Sequence, residues 1–311
     1  MDKIKSVMIG HAVADALGVP VEFCSREKLK EKPVTEMLGF GSYSVPAGSW
    51  SDDTSMSLCA LESLARGRVD YDEIMQNFGK WYYNDEFTPS GEMFDVGNTC
   101  SCAIDNYHKE NCTYKDCGLN DVRSNGNGSL MRIHPFVLYA HYKMMPLKDW
   151  EPMIFEASAL THAHERSKLA CGIYAYILMH LLSDSNIGAV ETALRRAALH
   201  YQDNAEYTHY ARLFDPGFEN LDVSEIKSSG YVVDTLEAAV WCLLTTDNYK
   251  DCVLKAVNLG NDTDTVAAIV GGLAGALYGY EAIPKEWRDT LIKRKHIEAM
   301  CERAYKDWQE E

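Results

Sequence analysis

Residues 260–279 read GNDTDTVAAIVGGLAGALYG and join an acidic opening to a long apolar run. The run over 266–280 is rich in glycine and alanine, which favours a helix that is buried on most sides. Gly271, Gly275 and Gly279 recur every fourth residue and therefore lie near one face of that helix. Without side chains on that face, a neighbouring helix can approach closely. The segment predicts a tightly packed buried helix with acidic residues at its entrance.

Helical periodicity continues through most of the chain on both sides of this segment. Apolar residues recur at helical spacing, and glycine, proline or capping residues stand at the ends of the runs. We find no convincing alternation of apolar and polar residues of the kind that marks a half-buried strand. The predicted helices are 4–17, 53–66, 71–83, 130–142, 166–182, 187–201, 232–244, 251–259, 266–278 and a charged pair within 284–309. The fold class predicted from this pattern is all-α.

Two stretches lack this periodicity. Residues 39–50 (GFGSYSVPAGSW) form a glycine and proline loop. Residues 203–230 are polar and acidic, and we interpret them as a surface excursion or lid because core-forming helices continue on both sides. With no internal repeat in the sequence, we expect one domain over 1–311.

The composition limits the classes of partner. The chain has 311 residues, of which 46% are hydrophobic and 24% charged, as expected for a folded globular protein. Its 30 basic and 46 acidic residues give a net charge of −16, which repels phosphate backbones. Nucleic acid is therefore disfavoured as a primary partner, although a locally positive cleft could still hold a small phosphorylated ligand.

We expect a cytoplasmic protein with no membrane partner. The apolar run over 266–280 is shorter than the ~20 residues that a membrane-spanning helix needs. Asp2, His11 and Asp15 interrupt the apolar N-terminal stretch and argue against a secretory signal. The ten cysteines are too sparse for a disulfide scaffold, and several lie inside apolar periodic stretches.

Two clusters of oxygen-bearing side chains stand where predicted helices begin. The first is 51–54 (SDDT), directly after the turn at 48–50, and the second is 261–265 (NDTDT). Helix capping explains either cluster alone, since these side chains accept hydrogen bonds from free N–H groups at a helix start. A cap needs only one such residue, however, and each cluster has several in succession.

Together the clusters supply four carboxylates, on Asp52, Asp53, Asp262 and Asp264. Residues two apart do not share a helix face, so the last two converge only if their segment is a turn entering the helix. An EF-hand is excluded because the required glycine and downstream glutamate are missing. Hard divalent cations such as Mg²⁺ prefer oxygen ligands of this kind, which makes the pair of clusters a candidate metal site.

Four further features suit ligand binding or proton transfer. Residues 126–132 (GNGSLMR) start like a dinucleotide fingerprint, but Met131 replaces the third glycine, so we interpret them as a loop whose N–H groups could hold an anion. Asp95 lies between an aromatic and an aliphatic residue, which favours partial desolvation and a raised pKa. Glu22 follows the first predicted helix, and His162 is either a binding residue or an ordinary structural imidazole.

In their order along the chain, these segments resemble the ADP-ribosylglycohydrolase family. The resemblance spans residues from about 10 to about 280, and its motifs are specific as a set. They are 11–22 (HAVADALGVPVE), 48–54 (GSWSDDT), 94–99 (FDVGNT), 127–132 (NGSLMR), 161–162 (TH) and 260–279.

The resemblance implies a single-domain orthogonal helical bundle with a binuclear Mg²⁺ or Mn²⁺ centre. The metal ligands it implies are Ser51, Asp52, Asp53, Asp262, Asp264 and Thr265. Family members more often have threonine at the position of Ser51, and a serine hydroxyl can also ligate. Asp95 would be the acid–base carboxylate, with Glu22 close to the metals. The residues expected to line an ADP-ribose site are Asn127, Gly128, Ser129, Arg132 and His162.

The leading hypothesis is a metal-dependent hydrolase that releases ADP-ribose from a modified protein side chain or a small conjugate. Arginine is the preferred linkage, because 94–99 resembles the arginine-specific bacterial branch of the family. Two alternatives remain at this point: a non-catalytic ADP-ribose-binding or structural protein, and a metal-dependent phosphohydrolase acting on ADP-ribose-like nucleotides. Four converging carboxylates are more than a protein that only binds ADP-ribose requires.

Overall fold

The computed structural model describes residues 2–110 and 112–309. Within these ranges it contains fourteen α-helices and, apart from two isolated bridges, no β-structure, which confirms the all-α prediction. The helices are α1 (Asp2–Gly18), α2 (Arg26–Glu31), α3 (Asp52–Leu64), α4 (Tyr71–Asn84), α5 (Asn98–Lys109), α6 (His134–Tyr142), α7 (Leu147–Ala159), α8 (Glu165–Ser183), α9 (Ile187–Tyr201), α10 (Val232–Leu244), α11 (Tyr249–Val257), α12 (Thr263–Tyr278), α13 (Lys285–Thr290) and α14 (Arg294–Gln309).

Helices α1 and α12 form the centre of the fold and lie antiparallel in close backbone contact. A Cβ atom built on Gly275 would lie 2.1 Å from the carbonyl oxygen of Ser6, and one on Gly10 would lie 2.5 Å from that of Gly271. At the other end, a Cβ atom on Gly18 would lie 2.3 Å from the Cα atom of Asp264. Gly271 and Gly275, predicted from the sequence to allow close packing, therefore do so, whereas a Cβ atom on Gly279 would meet no atom of the described residues within 4 Å. Gly18, which was not predicted, brings the end of α1 against the start of α12.

The first helix and the turn after it are long and apolar enough, by length and composition, to cross a membrane. This stretch, Asp2–Val21, is longer than the 266–280 run that we took as the longest apolar segment. In the structure 89% of its most apolar window is buried inside the fold. The apolar surface of α1 is therefore already covered by the neighbouring helices.

Three short or irregular helices were not predicted. Helix α5 buries only Cys100, Ala103 and Ile104, so few apolar residues mark it in the sequence. Helix α7 contains Pro152, and α2 has six residues. The predicted helix over 130–142 begins later, at α6, which carries a proline in its first turn, a favourable position for that residue.

Residues 203–230 are packed against the helices rather than projecting from them. They form four short 3₁₀ helices and bury Tyr210, Leu213, Phe218 and Ile226. The Tyr210 hydroxyl donates to the carbonyl of Arg166 at 2.7 Å, and Arg212 pairs with the buried Glu237. Because the sequence of this segment is mostly polar, the few apolar residues that pack it against the helices were not recognised in the sequence.

The α1–α12 contact generates a stability prediction. Gly275→Ala places a methyl group against the backbone of Ser6, and we expect it to lower the free energy of unfolding by about 1–3 kcal/mol. The matched control is Gly188→Ala in α9, where the nearest atom to a new Cβ is a side-chain oxygen at 3.1 Å. Urea unfolding of both variants gives the comparison, and equal stability of the two would contradict the close packing.

Candidate metal centre and active site

The acidic residues of three helix ends meet in one buried cluster. Asp15, Asp53 and Asp264 each offer a carboxylate oxygen within 4.8 Å of the other two. Glu22 and Asp95 form a second such group with the same Asp264. Asp264 thus belongs to both groups, as expected of a carboxylate placed between two cation positions. The two helix entrances singled out in the sequence, at α3 and α12, therefore converge in space.

Asp15 organises the start of α3. Its carboxylate accepts hydrogen bonds from the backbone N–H groups of Ser51 (3.0 Å) and Thr54 (3.1 Å) and from their hydroxyls (2.9 and 2.6 Å). Burial raises the pKa of Asp15 to about 6, and these four donors oppose a larger rise. We did not single out Asp15 as a site residue. Its signal was a carboxylate in the apolar second half of α1, which costs free energy unless it is paired.

Asp53 has one satisfied oxygen and one free oxygen. Its Oδ2 accepts hydrogen bonds from the hydroxyls of Ser51 (3.1 Å) and Thr265 (3.2 Å). Its Oδ1 is buried and has no hydrogen-bond partner among the described residues, and the same holds for Oε2 of Glu22. Free carboxylate oxygens buried among like charges need a cation or a proton. A donor set made only of oxygens suits a hard divalent cation.

The electrostatics of the cluster favour protonated carboxyls when no cation is bound. Burial, followed by the charges of the neighbouring carboxylates, raises the pKa of Asp52, Asp53 and Asp264 well above its ordinary range. Burial and the charge of Asp95 raise the pKa of Glu22 to about 8. These groups repel one another strongly, so the cluster is prepared to exchange protons for cations.

A tyrosine from the 39–50 loop links the two residues predicted to act as acid and base. The Tyr43 hydroxyl lies next to both Glu22 and Asp95, where it counteracts the rise in the pKa of each carboxyl. Its ring packs on Phe94 with ring centroids 5.0 Å apart. Burial raises the pKa of Asp95, and the Tyr43 hydroxyl opposes that shift. We had described this loop only as a glycine and proline segment, because nothing local in the sequence shows that Tyr43 reaches the cluster.

The predicted ADP-ribose loop lies directly beside the acidic cluster. Asn127 donates from Nδ2 to Oδ2 of Asp262 at 2.7 Å, and its backbone N–H donates to the carbonyl of Gly230 at 3.0 Å. His162 lies against the same loop, since a Cβ atom on Gly128 would be 3.0 Å from its ring. The structure therefore brings together the predicted metal ligands and the predicted Asn127, Gly128 and His162 positions.

Two residues of the predicted binding set lie behind this loop. Ser129 and Arg132 are fully buried, and the polar atoms of their side chains bond to other core residues, Ser129 to the hydroxyl of Ser158. The Arg132 guanidinium donates to the carbonyl of Ala157 (3.1 Å) and the hydroxyl of Thr161 (2.7 Å) and lies over the ring of Phe78. It supports the loop from the core side, which the sequence alone does not reveal.

Comparison with known proteins agrees with this arrangement. The family model for ADP-ribosylglycohydrolase matches residues 1–311. The chain belongs to the ADP-ribosylglycohydrolase family. It is 34% identical to "ADP-ribosylarginine hydrolase Tri1" of Serratia proteamaculans (strain 568), over 98% of this chain and 79% of that protein. It is 31% identical to "ADP-ribosyl-[dinitrogen reductase] glycohydrolase" of Rhodospirillum rubrum, over 93% of this chain and 90% of that protein.

A solved structure shares the fold as well. The match is to an "ADP-ribosylglycohydrolase-related protein complex", with a TM-score of 0.83 and 31% identity over 99% of this chain and 98% of that one. This likeness confirms the ADP-ribosylglycohydrolase type of helical fold predicted from the motifs.

The pKa shifts generate a prediction about cations and pH. Without divalent cations, the raised pKa of Glu22 means that its contribution to stability is present at acid pH and lost as the pH rises through about 8. Cations must displace these protons, so we expect Mg²⁺ or Mn²⁺ to raise Tm by about 5 °C or more at pH 8 and much less at pH 5.

Thermal unfolding with EDTA, Mg²⁺ or Mn²⁺ at both pH values measures this effect. Asp264→Asn should remove most of the cation-dependent shift, because both carboxylate groups contain Asp264. The exposed Asp121→Asn should leave it unchanged. A shift of equal size at both pH values, or one that survives in Asp264→Asn, would contradict cation binding at this cluster.

Proposed function

We propose that this protein hydrolyses the N-glycosidic bond between ADP-ribose and an arginine side chain of a modified protein, with two Mg²⁺ or Mn²⁺ ions as cofactors. The observation that carries the proposal is the pair of carboxylate groups that share Asp264, next to the Asn127 loop. The arginine linkage is supported by the 34% identical relative, which is named an ADP-ribosylarginine hydrolase.

The residues that would hold the cations are Asp53, Asp264 and Thr265, with Ser51, Asp52 and Asp262 from the same two helix entrances. When bound, the cations would orient the ribose hydroxyls and make a water more acidic, and the neighbouring carboxylates would stabilise the positive charge that develops on the sugar as the bond breaks. Asp15 and Glu22 add oxygens to the same two groups. Asp15 also holds the start of α3 in place, so its main contribution is the position of Ser51 and its neighbours.

Asp95 and Glu22 are the groups suited to proton transfer. Both lie beside the Tyr43 hydroxyl, and burial raises the pKa of each carboxyl, to about 8 for Glu22. Asp95 would give its proton to the leaving guanidine or take one from the attacking water, with Tyr43 fixing its orientation. A positioned carboxyl in this role typically contributes ~10²–10⁴-fold to the rate.

The Asn127 loop and His162 would bind the ADP-ribose part of the substrate. Burial lowers the pKa of His162 to about 3, so its imidazole is neutral and can accept or donate a hydrogen bond without adding charge. Backbone N–H groups at helix starts offer sites for the diphosphate even in a protein with a net charge of −16. The expected partner is an ADP-ribosylated protein or a small ADP-ribose conjugate in the cytoplasm, with nucleic acid disfavoured.

Two substitutions separate the metal role from the proton-transfer role. Asp264→Ala should remove cation binding and nearly all activity. Asp95→Asn should leave cation binding intact while slowing turnover by about 10²–10⁴-fold. Isothermal calorimetry with Mn²⁺ and release of ADP-ribose from a labelled protein report the two effects. If Asp95→Asn keeps the full rate, Glu22 becomes the candidate for the acid–base residue.

A panel of linkages tests the substrate itself. We expect cleavage of arginine-linked ADP-ribose that stops in EDTA and returns with Mg²⁺ or Mn²⁺, and slower cleavage of serine, cysteine and nucleotide conjugates. The product should be ADP-ribose. AMP and ribose phosphate would instead identify a phosphohydrolase, and cation-independent ADP-ribose binding without turnover would identify a binding protein.

A further inference from the structure

Exposed apolar side chains concentrate beside the candidate active site. Of the eight large hydrophobic residues that are exposed in the described chain, three lie between residues 23 and 40. Phe23, directly after Glu22, is 75% exposed, and Phe40 is 63% exposed. A single exposed apolar residue is ordinary, but two phenylalanines beside a candidate active site need a reason.

The backbone conformation at both positions is one in which a phenylalanine costs free energy. Phe23 has φ +62° and Phe40 has φ +61°, in the left-handed region that bulky side chains rarely adopt. Glycine or asparagine would suit either position better, and neither ring gains burial in the free protein in return. Strained residues of this kind cluster at functional sites, where the side chain contacts a binding partner rather than the protein's own core.

Hydrogen bonds fix both positions to the site. The N–H of Phe23 donates to the carbonyl of Asn261 (2.7 Å), and the N–H of Asn261 donates to that of Cys24 (2.7 Å), directly before Asp262. In the loop that carries Phe40, the Ser42 hydroxyl donates to the carbonyl of Glu22. The backbone at Phe23, and the loop that carries Phe40, are therefore tied to the segments that hold Glu22 and Asp262, at the rim of the acidic cluster.

The orientation of the bound substrate determines which part of it lies next to Phe23 and Phe40. The Asn127 loop, proposed to bind ADP-ribose, contacts the cluster at Asp262. Asp95, proposed to act on the leaving guanidine, offers a carboxylate oxygen within 4.8 Å of one on Glu22, the residue directly before Phe23. We therefore expect the polypeptide that bears the modified arginine to leave the site past Glu22 and Phe23.

We propose that Phe23 and Phe40 form an apolar rim that contacts the polypeptide of the ADP-ribosylated protein substrate and so favours protein substrates over small conjugates. This inference rests on the proposed function. Two aromatic side chains contribute at most about 150–250 Å² each, against about 800 Å² per partner in a stable complex. A contact of that size suits a transient enzyme–substrate encounter, whereas a permanent dimer would need far more surface.

The test compares two substrates of the full-length protein in Mn²⁺. One is a globular protein mono-ADP-ribosylated on a surface arginine, and the other is ADP-ribosylated free arginine. In the double variant Phe23→Ser/Phe40→Ser, we expect kcat/KM for the protein to fall by about tenfold or more, mainly through KM. For ADP-ribosylated arginine it should change by less than about twofold. Circular dichroism and thermal unfolding confirm that the variant is folded.

The matched control is Met144→Ser/Leu199→Ser, which removes two equally exposed apolar side chains (88% and 65%) elsewhere on the surface. It should leave both substrates unaffected. An equal loss on both substrates in the Phe23/Phe40 variant would place the rings against the ADP-ribose part and overturn the proposal, as would no loss at all or an equal loss in the control. A wild-type protein that cleaves neither substrate would instead overturn the proposed function, and this inference with it.

Discussion

The near contact between the backbones of α1 and α12 is the constraint on which the site depends. Because Gly10, Gly18 and Gly275 carry no side chain, the end of α1 lies directly against the start of α12. That contact places Asp15 and Asp264 within reach of one another, although they are far apart in the chain. A side chain at Gly18 would push against the backbone of Asp264 and so move the two carboxylates apart.

The rest of the scaffold offsets the cost of burying like charges together. Helices α3 and α12 direct their N-termini at the cluster, and the partial positive charge there favours nearby carboxylates. Asp15 receives four hydrogen bonds, and Asp53 receives two on one oxygen. The oxygens left without partners belong to Asp53 and Glu22, which keeps them available for cations or protons. Hydrogen bonds thus fix the positions of these carboxylates, while the negative charge of the cluster is only partly neutralised by the protein.

The fold class, the family and the meeting of the two acidic helix entrances could be predicted from the sequence. Each depends on a local pattern, namely helical periodicity, glycines four residues apart, or successive oxygen-bearing side chains. Asp15 and Tyr43 were missed because their importance depends on contacts with distant segments. The contacts of the Arg132 side chain were not predictable either. Its motif marks the right loop, but only the packing against Phe78 and Thr161 shows that its side chain faces the core.

The pairing of α1 with α12 also sets the order in which the molecule can assemble. Helix α1 is made on the ribosome long before its main packing partner, Thr263–Tyr278. Contacts between segments so distant in sequence form slowly, since a long loop must close before they contribute. Helix α1, which is strongly apolar, therefore remains exposed to solvent until α12 has been made. Newly made chains should be at their most vulnerable to aggregation in that interval, and chaperone protection of α1 matters most there.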